Sequence, residues 1–459
     1  FLISGMIQEG LDALRTVLGQ VGIRFPASAR RALVSLLIRR ARLWVRGLKF
    51  TPRRASEIAP HRLVRMDTCW TGAIGLGLVE IIPAAHFQAL HLELALAAGE
   101  PSRVARALIL EMGFVATAGG RATRRVEALR LRCRALVEQV DQPYPRALLE
   151  AIEGSIANVT GRFADSHAHS VLAQRMLREH CTGVTWETEV AELYELHSLS
   201  HLGRWSELAT RAPAILARAR ERRNNLLATY IRTRIQFLLH LAADDPARAR
   251  AEQSESLAGW SGGGFQLQHY WHWYAQTMID LYQGNLPLAW DRLAGQWRAY
   301  RLSLLSGTQA LHIGILVVRA RVAVGMAARE QGRVRARWVV RARRDLRWLD
   351  RTGMPWAVAQ TGVVRAGLAL LDDEPELAVR LLRESSVALA DVELGADRAA
   401  AQWCLGTLDQ SAAGQAARRE AMDWMEREGI RNPARLAAMF VPELQPAGGA
   451  AAPNLPETP

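Results

Sequence analysis

The sequence predicts an all-α protein in which helical hairpins stack side by side as an α-solenoid. A turn signal returns about every forty residues, and each signal separates two stretches with the apolar spacing of an amphipathic helix. Strand-like runs of alternating β-branched residues are missing from the sequence. A single hairpin cannot bury its own apolar stripe, so we expect one continuous stack of repeats. The signals are Gly119-Gly120, Gly161-Arg162, Gly203-Arg204, Asp244-Asp245-Pro246, Gly284-Asn285, Gln331-Gly332 and Asp372-Asp373-Glu374-Pro375.

Residues 1–60 are interpreted as an incomplete N-terminal repeat followed by a basic helix. The first helix is predicted from about Met6 to Val21, with Ile7, Leu11, Leu14 and Leu18 on one face. Its hairpin partner would precede Phe1, so we expect the chain to be the downstream part of a longer polypeptide, with a processed mature chain as the alternative.

The basic helix is predicted over residues 27–48 and ends near Gly47, and residues 51–60 form a loop that contains two prolines.

Residues 61–443 are predicted to form the solenoid, and residues 444–459, which are rich in Pro, Gly and Ala, a disordered tail. From residue 100 onward the apolar spacing predicts paired helices. The pairs are 103–118 with 121–139, 146–160 with 163–179, 186–202 with 205–221, 224–242 with 246–258, 266–283 with 286–304, 308–328 with 333–351, 356–371 with 375–390, and 396–409 with 414–428.

The net charge of +13 is concentrated in two segments. Arg24 to Arg65 carries twelve basic residues against one acidic residue, and Arg319 to Arg351 carries eleven against three. Within the helix that starts near Arg333, five arginines fall within about 80° of one another at 100° per residue. They could engage an acidic peptide, phosphates or anionic lipid, although a plain solvated face is the commoner explanation. These candidate residues are Arg333, Arg337, Arg341, Arg344 and Arg351.

Catalytic, cofactor and metal sites are not predicted. Kinases and P-loop proteins hold phosphates with a lysine, and Lys49, the only lysine, lies outside any Gly-rich loop. His197 and His201 share a helical face at a spacing that can chelate zinc, but no third ligand can be named, so helix packing is favoured.

Two further segments have a structural and a functional interpretation. Gly72, Gly75 and Gly77 could form a phosphate loop, but close helix packing is favoured because no lysine follows. The aromatic segment FQLQHYWHWYAQTMIDLY could stack on bases or peptides. Its aromatic residues recur at helical spacing, which favours a core stripe.

The sequence favours a cytoplasmic protein. Four dispersed cysteines without a CxxC pair argue against a disulfide framework and favour a reducing compartment. The most apolar stretches, 71–85 and 311–328, contain Glu80 in the first and Arg319 and Arg321 in the second, so neither is expected to span a bilayer.

Several segments together resemble the C-terminal region of large bacterial multidomain serine/threonine protein kinases, in which a kinase domain and an ATPase-like module precede tetratricopeptide-like helices. The matching segments are GMIQEGLDALRTVLGQVGIRFP, RRALVSLLIRRARLWVRGLKF, CTGVTWETEVAELYELHSLSHLGRWSEL, FQLQHYWHWYAQTMIDLYQGNLPLAWDRLAGQW and GIRNPARLAAMFVP. The resemblance implies that the catalytic modules lie upstream and that this chain recruits or senses a regulatory protein or a substrate.

The sequence therefore predicts a noncatalytic protein-interaction region, the repeat arm of a signalling kinase. A nucleic-acid-binding helical repeat that uses the Arg-rich helices is the alternative from another class. The repeat arm of an ATPase-type transcriptional regulator would leave a similar sequence.

Overall fold

The computed structural model describes residues 7–77, 79–258, 260 and 264–442, and these residues form helices and turns without a β-strand. The all-α prediction is confirmed for this part of the chain. The predicted tail at 444–459 lies outside the described residues.

The N-terminal helices pack as two crossed pairs. They are α1 (Ile7–Gln20), α2 (Ala29–Arg46), α3 (Pro60–Gly77) and α4 (Ile81–Ala98). The side chain of Ser28 accepts a hydrogen bond from the Arg31 amide and so caps α2, which Gly47 ends as predicted. Helix α1 packs on α3 and α2 packs on α4. The four apolar residues predicted on one face of α1 are all buried; they are Ile7, Leu11, Leu14 and Leu18.

The next six helices follow the predicted hairpins closely. They are α5 (Pro101–Ala116), α6 (Thr123–Val140), α7 (Pro143–Val159), α8 (Phe163–His180), α9 (Thr185–Leu202) and α10 (Trp205–Glu221). Their ends lie within three residues of the predicted ends. Each turn signal between them lies at a turn in the structure. Gly and Asp occur at such positions because they tolerate the backbone conformation that reverses the chain.

One predicted helix is interrupted, which the sequence did not indicate. The stretch expected at 224–242 consists of α11 (Asn225–Ile231), a π-helical segment (Arg232–Gln236) and α12 (Phe237–Ala242). The Thr233 hydroxyl donates to the Thr229 carbonyl over 2.8 Å, and the Gln253 side chain donates to the Arg232 carbonyl over 2.7 Å. These side-chain hydrogen bonds replace backbone hydrogen bonds of a regular α-helix that cannot form in the wider π-helical turn.

The remaining helices also match the prediction, apart from one addition. They are α13 (Pro246–Ser256), α14 (Leu267–Tyr282), α15 (Leu286–Leu302), α16 (Gln309–Ala328), α17 (Gly332–Asp350), α18 (Pro355–Leu371), α19 (Pro375–Asp391), α20 (Gly395–Leu408), α21 (Ala412–Arg427) and α22 (Pro433–Phe440). The short helix α22 was not predicted. Asn432 caps it by accepting a hydrogen bond from the Arg435 amide over 3.2 Å.

Most successive helices pack against each other, and several alternate helices also touch, as in the pairs α5 and α7, α7 and α9, and α16 and α18. The buried apolar side chains form two large cores. The first extends from Ile7 to Ile156, and the second from Phe163 to Val441.

Four turns in residues 7–245, which we call the first half, contact the first residues of four helices in residues 264–442, which we call the second half. We call these the four inter-half contacts. The turn after α5 meets α16, because the Gln309 amide donates to the Thr117 carbonyl over 3.0 Å. The turn after α7 meets α18, where the Trp356 indole lies against Gly161.

The other two inter-half contacts repeat this pattern. The turn after α9 meets the start of α20, where Gly203 lies against Gly395. The turn after α12 meets the start of α22, where the Arg431 amide donates to the Ala242 carbonyl over 2.8 Å.

Two helices are long and apolar enough to cross a membrane by length and composition alone. These are α4 and α16, of which 72% and 78% respectively is buried inside the protein. Within α16, Arg319 forms an ion pair with Asp345 and Arg321 forms one with Asp397. In this structure both helices are packed as core elements.

Candidate functional site

The predicted basic face lies on the outside of α17. All five arginines on it are exposed, whereas Ala342, Leu346 and Leu349 on the opposite side of the helix are buried. The basic face consists of Arg333, Arg337, Arg341, Arg344 and Arg351. Its position follows the predicted helical periodicity, and binding through it stays a prediction.

The acidic residues close to α17 are already paired with other cations. Asp345 is buried against Arg319, Asp350 pairs with Arg365 over 2.6 Å, and Asp372 pairs with Arg343 over 2.9 Å. Within the described residues, none of the five arginines of the basic face has a carboxylate within 4.0 Å. The positive charge of the basic face is therefore not neutralised by ion pairs with the part of the chain that the structure describes.

One member of the basic face is held by aromatic rings. The Arg341 guanidinium lies 5.0 Å from the ring centroids of both Trp290 and Trp338. Those two indoles meet edge to face at 4.6 Å. Because the rings restrict the Arg341 side chain, less conformational entropy is lost when it binds an anion.

The first basic cluster, on α2, has a different environment. Arg39 forms an ion pair with Glu93, and Arg40 forms one with the buried Glu111. Arg46 donates to the Leu96 carbonyl over 3.0 Å. Half of this cluster therefore anchors α2 to α4 and α5, and it leaves less charge for a partner than the basic face of α17.

The histidine pair on α9 lies inside the protein and contacts non-ligating groups. The Nδ1 of His197 donates to the Asn158 side-chain oxygen over 2.5 Å, and the Nε2 of His201 accepts from the Arg234 guanidinium over 3.1 Å. No group of three His, Cys, Asp or Glu side chains suited to a metal ion occurs among the residues that the structure describes.

This histidine pair borders a cavity of about 180 Å³ that the sequence did not predict. Helices α7, α9, α11, α14, α16 and α18 and the π-helical segment all contribute to its walls. The polar residues in the walls are Thr117, Asn158, Tyr194, His197, His201, Tyr230, Arg234, Tyr270, Trp271, Tyr274, Thr308 and Trp356. Phe163 and Leu311 are among the apolar ones.

Arg234, in the π-helical segment, supplies the only formal charge in the cavity wall. Its side chain is 4% exposed, and it has no carboxylate within ion-pair distance among the described residues. The guanidinium lies 4.7 Å from the ring centroid of Trp271 and 5.9 Å from that of Tyr274. Burial lowers the pKa of Arg234, but the ordinary value of a guanidinium is so high that the group stays charged at neutral pH.

The two histidines beside Arg234 are neutral. Burial, together with the positive charge of Arg234, lowers the pKa of both His197 and His201 well below the ordinary value. His201 is also stacked on Phe163 with ring centroids 4.2 Å apart, and its ring meets that of His197 edge to face at 4.9 Å.

Several polar atoms of the cavity wall have no hydrogen-bond partner. They comprise three N–H donors and one acceptor, namely Nε of Arg234, Nε1 of Trp271, Nε1 of Trp356 and Nε2 of His197. Unsatisfied polar atoms in a protein interior are uncommon and need an explanation. These four lie in side chains that border a single space, and other buried atoms without a partner lie elsewhere in the interior, as in His91 and Trp186.

The aromatic segment of α14 is a core stripe, as the sequence favoured, and part of it lines the cavity; stacking on bases or peptides stays a prediction. Met278 and Tyr282 are core residues, as the helical spacing predicted. Trp271 is equally buried, but together with Tyr274 it lines the cavity. Periodicity could not separate these roles, because a core position and a cavity wall both present an apolar side chain to the interior.

The glycines of α3 are explained in part by close packing. A Cβ atom at Gly72 would lie 3.4 Å from the Phe87 ring, so this glycine brings α3 close to α4, as predicted. Gly77 has open space around it and borders the cavity.

Comparisons of the chain with protein-family models and with curated proteins found no match. The functional argument therefore depends on the basic face and the cavity.

Proposed function

We propose that this chain is a noncatalytic, tetratricopeptide-like α-solenoid that recruits a protein partner by an acidic segment bound on the basic face of α17. The packing of most helices on the next helix, and of several on the next but one, supports the solenoid interpretation. The observation that carries the binding proposal is the set of five exposed arginines without an acidic partner among the described residues.

The dimensions of the basic face suit an extended peptide. From Arg333 to Arg351 the helix rises about 27 Å, which matches about eight extended residues. Exposed charge pairs are individually weak, so affinity would come from several contacts together. Arg341, which is already positioned by Trp290 and Trp338, is the central contact.

The parent protein that we propose is a cytoplasmic bacterial serine/threonine kinase, with the kinase and ATPase-like modules upstream. The ordered segments that resemble such kinases support this proposal, and the burial of both α4 and α16 is compatible with it. In that setting the basic face would bind a substrate or a regulatory protein and so direct the attached kinase in signal transduction.

The binding proposal is tested by fluorescence anisotropy with a labelled Glu-rich peptide of about eight residues. The double variant Arg337→Glu/Arg344→Glu should weaken binding at least about tenfold, because each reversal replaces an attractive contact by a repulsive one. The control Arg124→Glu/Arg132→Glu makes the same change in net charge at exposed positions on α6 and should retain most of the affinity. Equal losses in both variants would show that the basic face is not the site.

The second candidate function is nucleic-acid binding, which the same arginines and the adjacent Trp290 and Trp338 could support. It predicts tight binding to DNA of unrelated sequences, with an affinity that falls steeply as salt rises. If duplex DNA binds more tightly than the peptide at physiological salt and Arg337→Glu/Arg344→Glu abolishes that binding, nucleic acid is the partner.

A further inference from the structure

The cavity contains a buried positive charge that forms no ion pair with any carboxylate among the described residues. Two arginines are almost fully buried, and the other one, Arg321, forms an ion pair with Asp397. Arg234 instead contacts a neutral histidine and two aromatic rings. Burying a cation without an anion is unfavourable, and proteins retain such an arrangement mainly where a ligand supplies the missing charge.

The hydrogen-bonding groups around Arg234 also fit an anion. Among the lining side chains, Nε of Arg234 and Nε1 of Trp271 are N–H donors without a partner, whereas the Nε1 edge of Trp356 packs against Gly161. A carboxylate can accept about four hydrogen bonds, whereas a neutral apolar ligand would leave every one of these donors unsatisfied. The neighbouring histidines are neutral, so Arg234 is the charge that would bind the anion.

The acceptor without a partner, Nε2 of His197, indicates which further group the ligand could contain. Because the Asn158 amide oxygen fixes the Nδ1 proton of His197, the lone pair of His197 lies on Nε2, which has no partner. Asn158 is itself held by donating to the Ser198 hydroxyl over 3.1 Å. A hydroxyl group on the ligand would satisfy Nε2.

The size and walls of the cavity limit the rest of the ligand. A dry cavity of about 150 Å³ accommodates one benzene molecule, and this cavity has about 180 Å³. Aromatic side chains form a large part of its walls, including Phe163, Tyr230, Tyr270 and Trp356. Such walls favour a planar ring through edge-to-face contacts.

The backbone at Arg234 is also unusual for a helical protein. A π-helical segment places Arg234 here, and such segments are rare and occur frequently at functional sites. If residues 224–242 formed a regular α-helix, the segment after Arg234 would be rotated about the helix axis relative to the segment before it. The side chains of the two segments would then point in different directions from those in the structure.

We propose that this cavity binds a small organic carboxylate with a single aromatic ring, and that Arg234 pairs with the carboxylate while Trp271 and Trp356 enclose the ring. This site is independent of the basic face. A hydroxyl-substituted ring would bind more tightly than an unsubstituted one, because it would satisfy His197.

The test is isothermal titration calorimetry on the full chain with benzoate, 4-hydroxybenzoate and the neutral isostere benzamide. Benzoate should bind saturably and raise the Tm, and benzamide should bind at least about tenfold more weakly because it lacks the charge. Arg234→Met should abolish the preference for benzoate over benzamide. It should also raise the Tm of the unliganded protein, since it removes an uncompensated buried charge.

Two further variants distinguish the outcomes. Arg232→Met, in the same π-helical segment but outside the cavity wall, should retain benzoate binding. Ala310→Leu fills the cavity while keeping Arg234, so it should weaken benzoate binding even if Arg234→Met does not fold. The proposal is overturned if benzoate and benzamide bind equally, if neither binds, or if inorganic phosphate competes with benzoate and binds as tightly.

Discussion

The side-chain amide of Asn432 donates a hydrogen bond of 3.0 Å to the carboxylate of Asp244, although the two residues are 188 positions apart in the sequence. The same carboxylate accepts from the Tyr282 hydroxyl over 2.7 Å and from Arg435 over 3.1 Å. Asp244 therefore joins the turn after α12 to α14 and to α22. Its backbone has a positive φ of 52°, which Asp tolerates better than most residues.

Replacing Asp244 should destabilise the protein more than an ordinary turn substitution. We expect Asp244→Ala to lower the free energy of unfolding by about 1–3 kcal/mol, because three buried or half-buried donors lose their acceptor. Asp373→Ala is the matched control, since Asp373 has a φ of 61° in an equivalent turn but is exposed. Urea denaturation measures both, and equal losses would contradict a role for the Asp244 carboxylate.

Gly161 is expected to tolerate no side chain. A Cβ atom there would lie 1.9 Å from the Trp356 ring, and the φ of Gly161 is 81°. Gly183 has a φ of 70° with open space around it, so Gly183→Ala measures the backbone cost alone, about 1–2 kcal/mol. Gly161→Ala should lower the melting temperature clearly further than Gly183→Ala does. Similar melting temperatures for the two variants would refute the contact between Gly161 and Trp356.

Asp280 of α14 should be among the most sensitive polar residues in the second core. Its carboxylate is fully buried and pairs with Arg250 of α13 and Arg292 of α15, each over 2.7 Å. Asp280→Asn leaves both cations underpaired and should cost about 3 kcal/mol. The control Asp350→Asn removes the half-exposed pair with Arg365 and should cost less than about 1 kcal/mol. Chemical denaturation of the two variants provides the comparison.

Acid should destabilise the fold between about pH 6.5 and pH 4. Burial lowers the pKa of His91 to about 3 and those of His86, His272 and His312 to about 4. Unfolded histidine titrates near pH 6.5, so in this window the unfolded state binds more protons and its population rises as pH falls. Stability should be complete above about pH 7 and decrease steadily below it.

The variant His91→Leu isolates one of these groups. It should reduce the pH dependence of the unfolding free energy between pH 6 and 4 by up to about 1.4 kcal/mol per pH unit, which corresponds to one proton. His180 is exposed, so His180→Leu is the control for replacing a surface histidine by leucine. An unchanged slope in His91→Leu would mean that His91 is protonated in the folded state. Denaturant titrations at several pH values supply the slopes.

Local signals were sufficient to predict most of the helices. Turn residues and a period of 3.6 act over a few positions, so the sequence showed where helices begin and end. The missed helix α22 had such a signal in Asn432-Pro433, a cap residue followed by a helix-starting proline. The positions of the five arginines on α17 were predictable for the same reason.

Non-local features could not be predicted in this way. The π-helical segment depends on Gln253, which donates to the Arg232 carbonyl from another helix. The burial of Arg234 depends on α9 and α14 closing around it, whereas its sequence context resembles any helix surface. The cavity therefore became visible only when the helices were assembled.

The four inter-half contacts restrict the number of hairpins, because they require a particular number of residues between the paired positions. Gly120 meets Gln309 at a separation of 189 residues, and Asp244 meets Asn432 at a separation of 188. Across all four contacts the paired residues are between 188 and 195 positions apart, so the two halves keep nearly the same register. Repeat arrays commonly evolve by duplicating or deleting a unit, but an extra hairpin between the halves would displace all four contacts at once. We expect this protein to vary in its surface residues and loops while its repeat number stays constant.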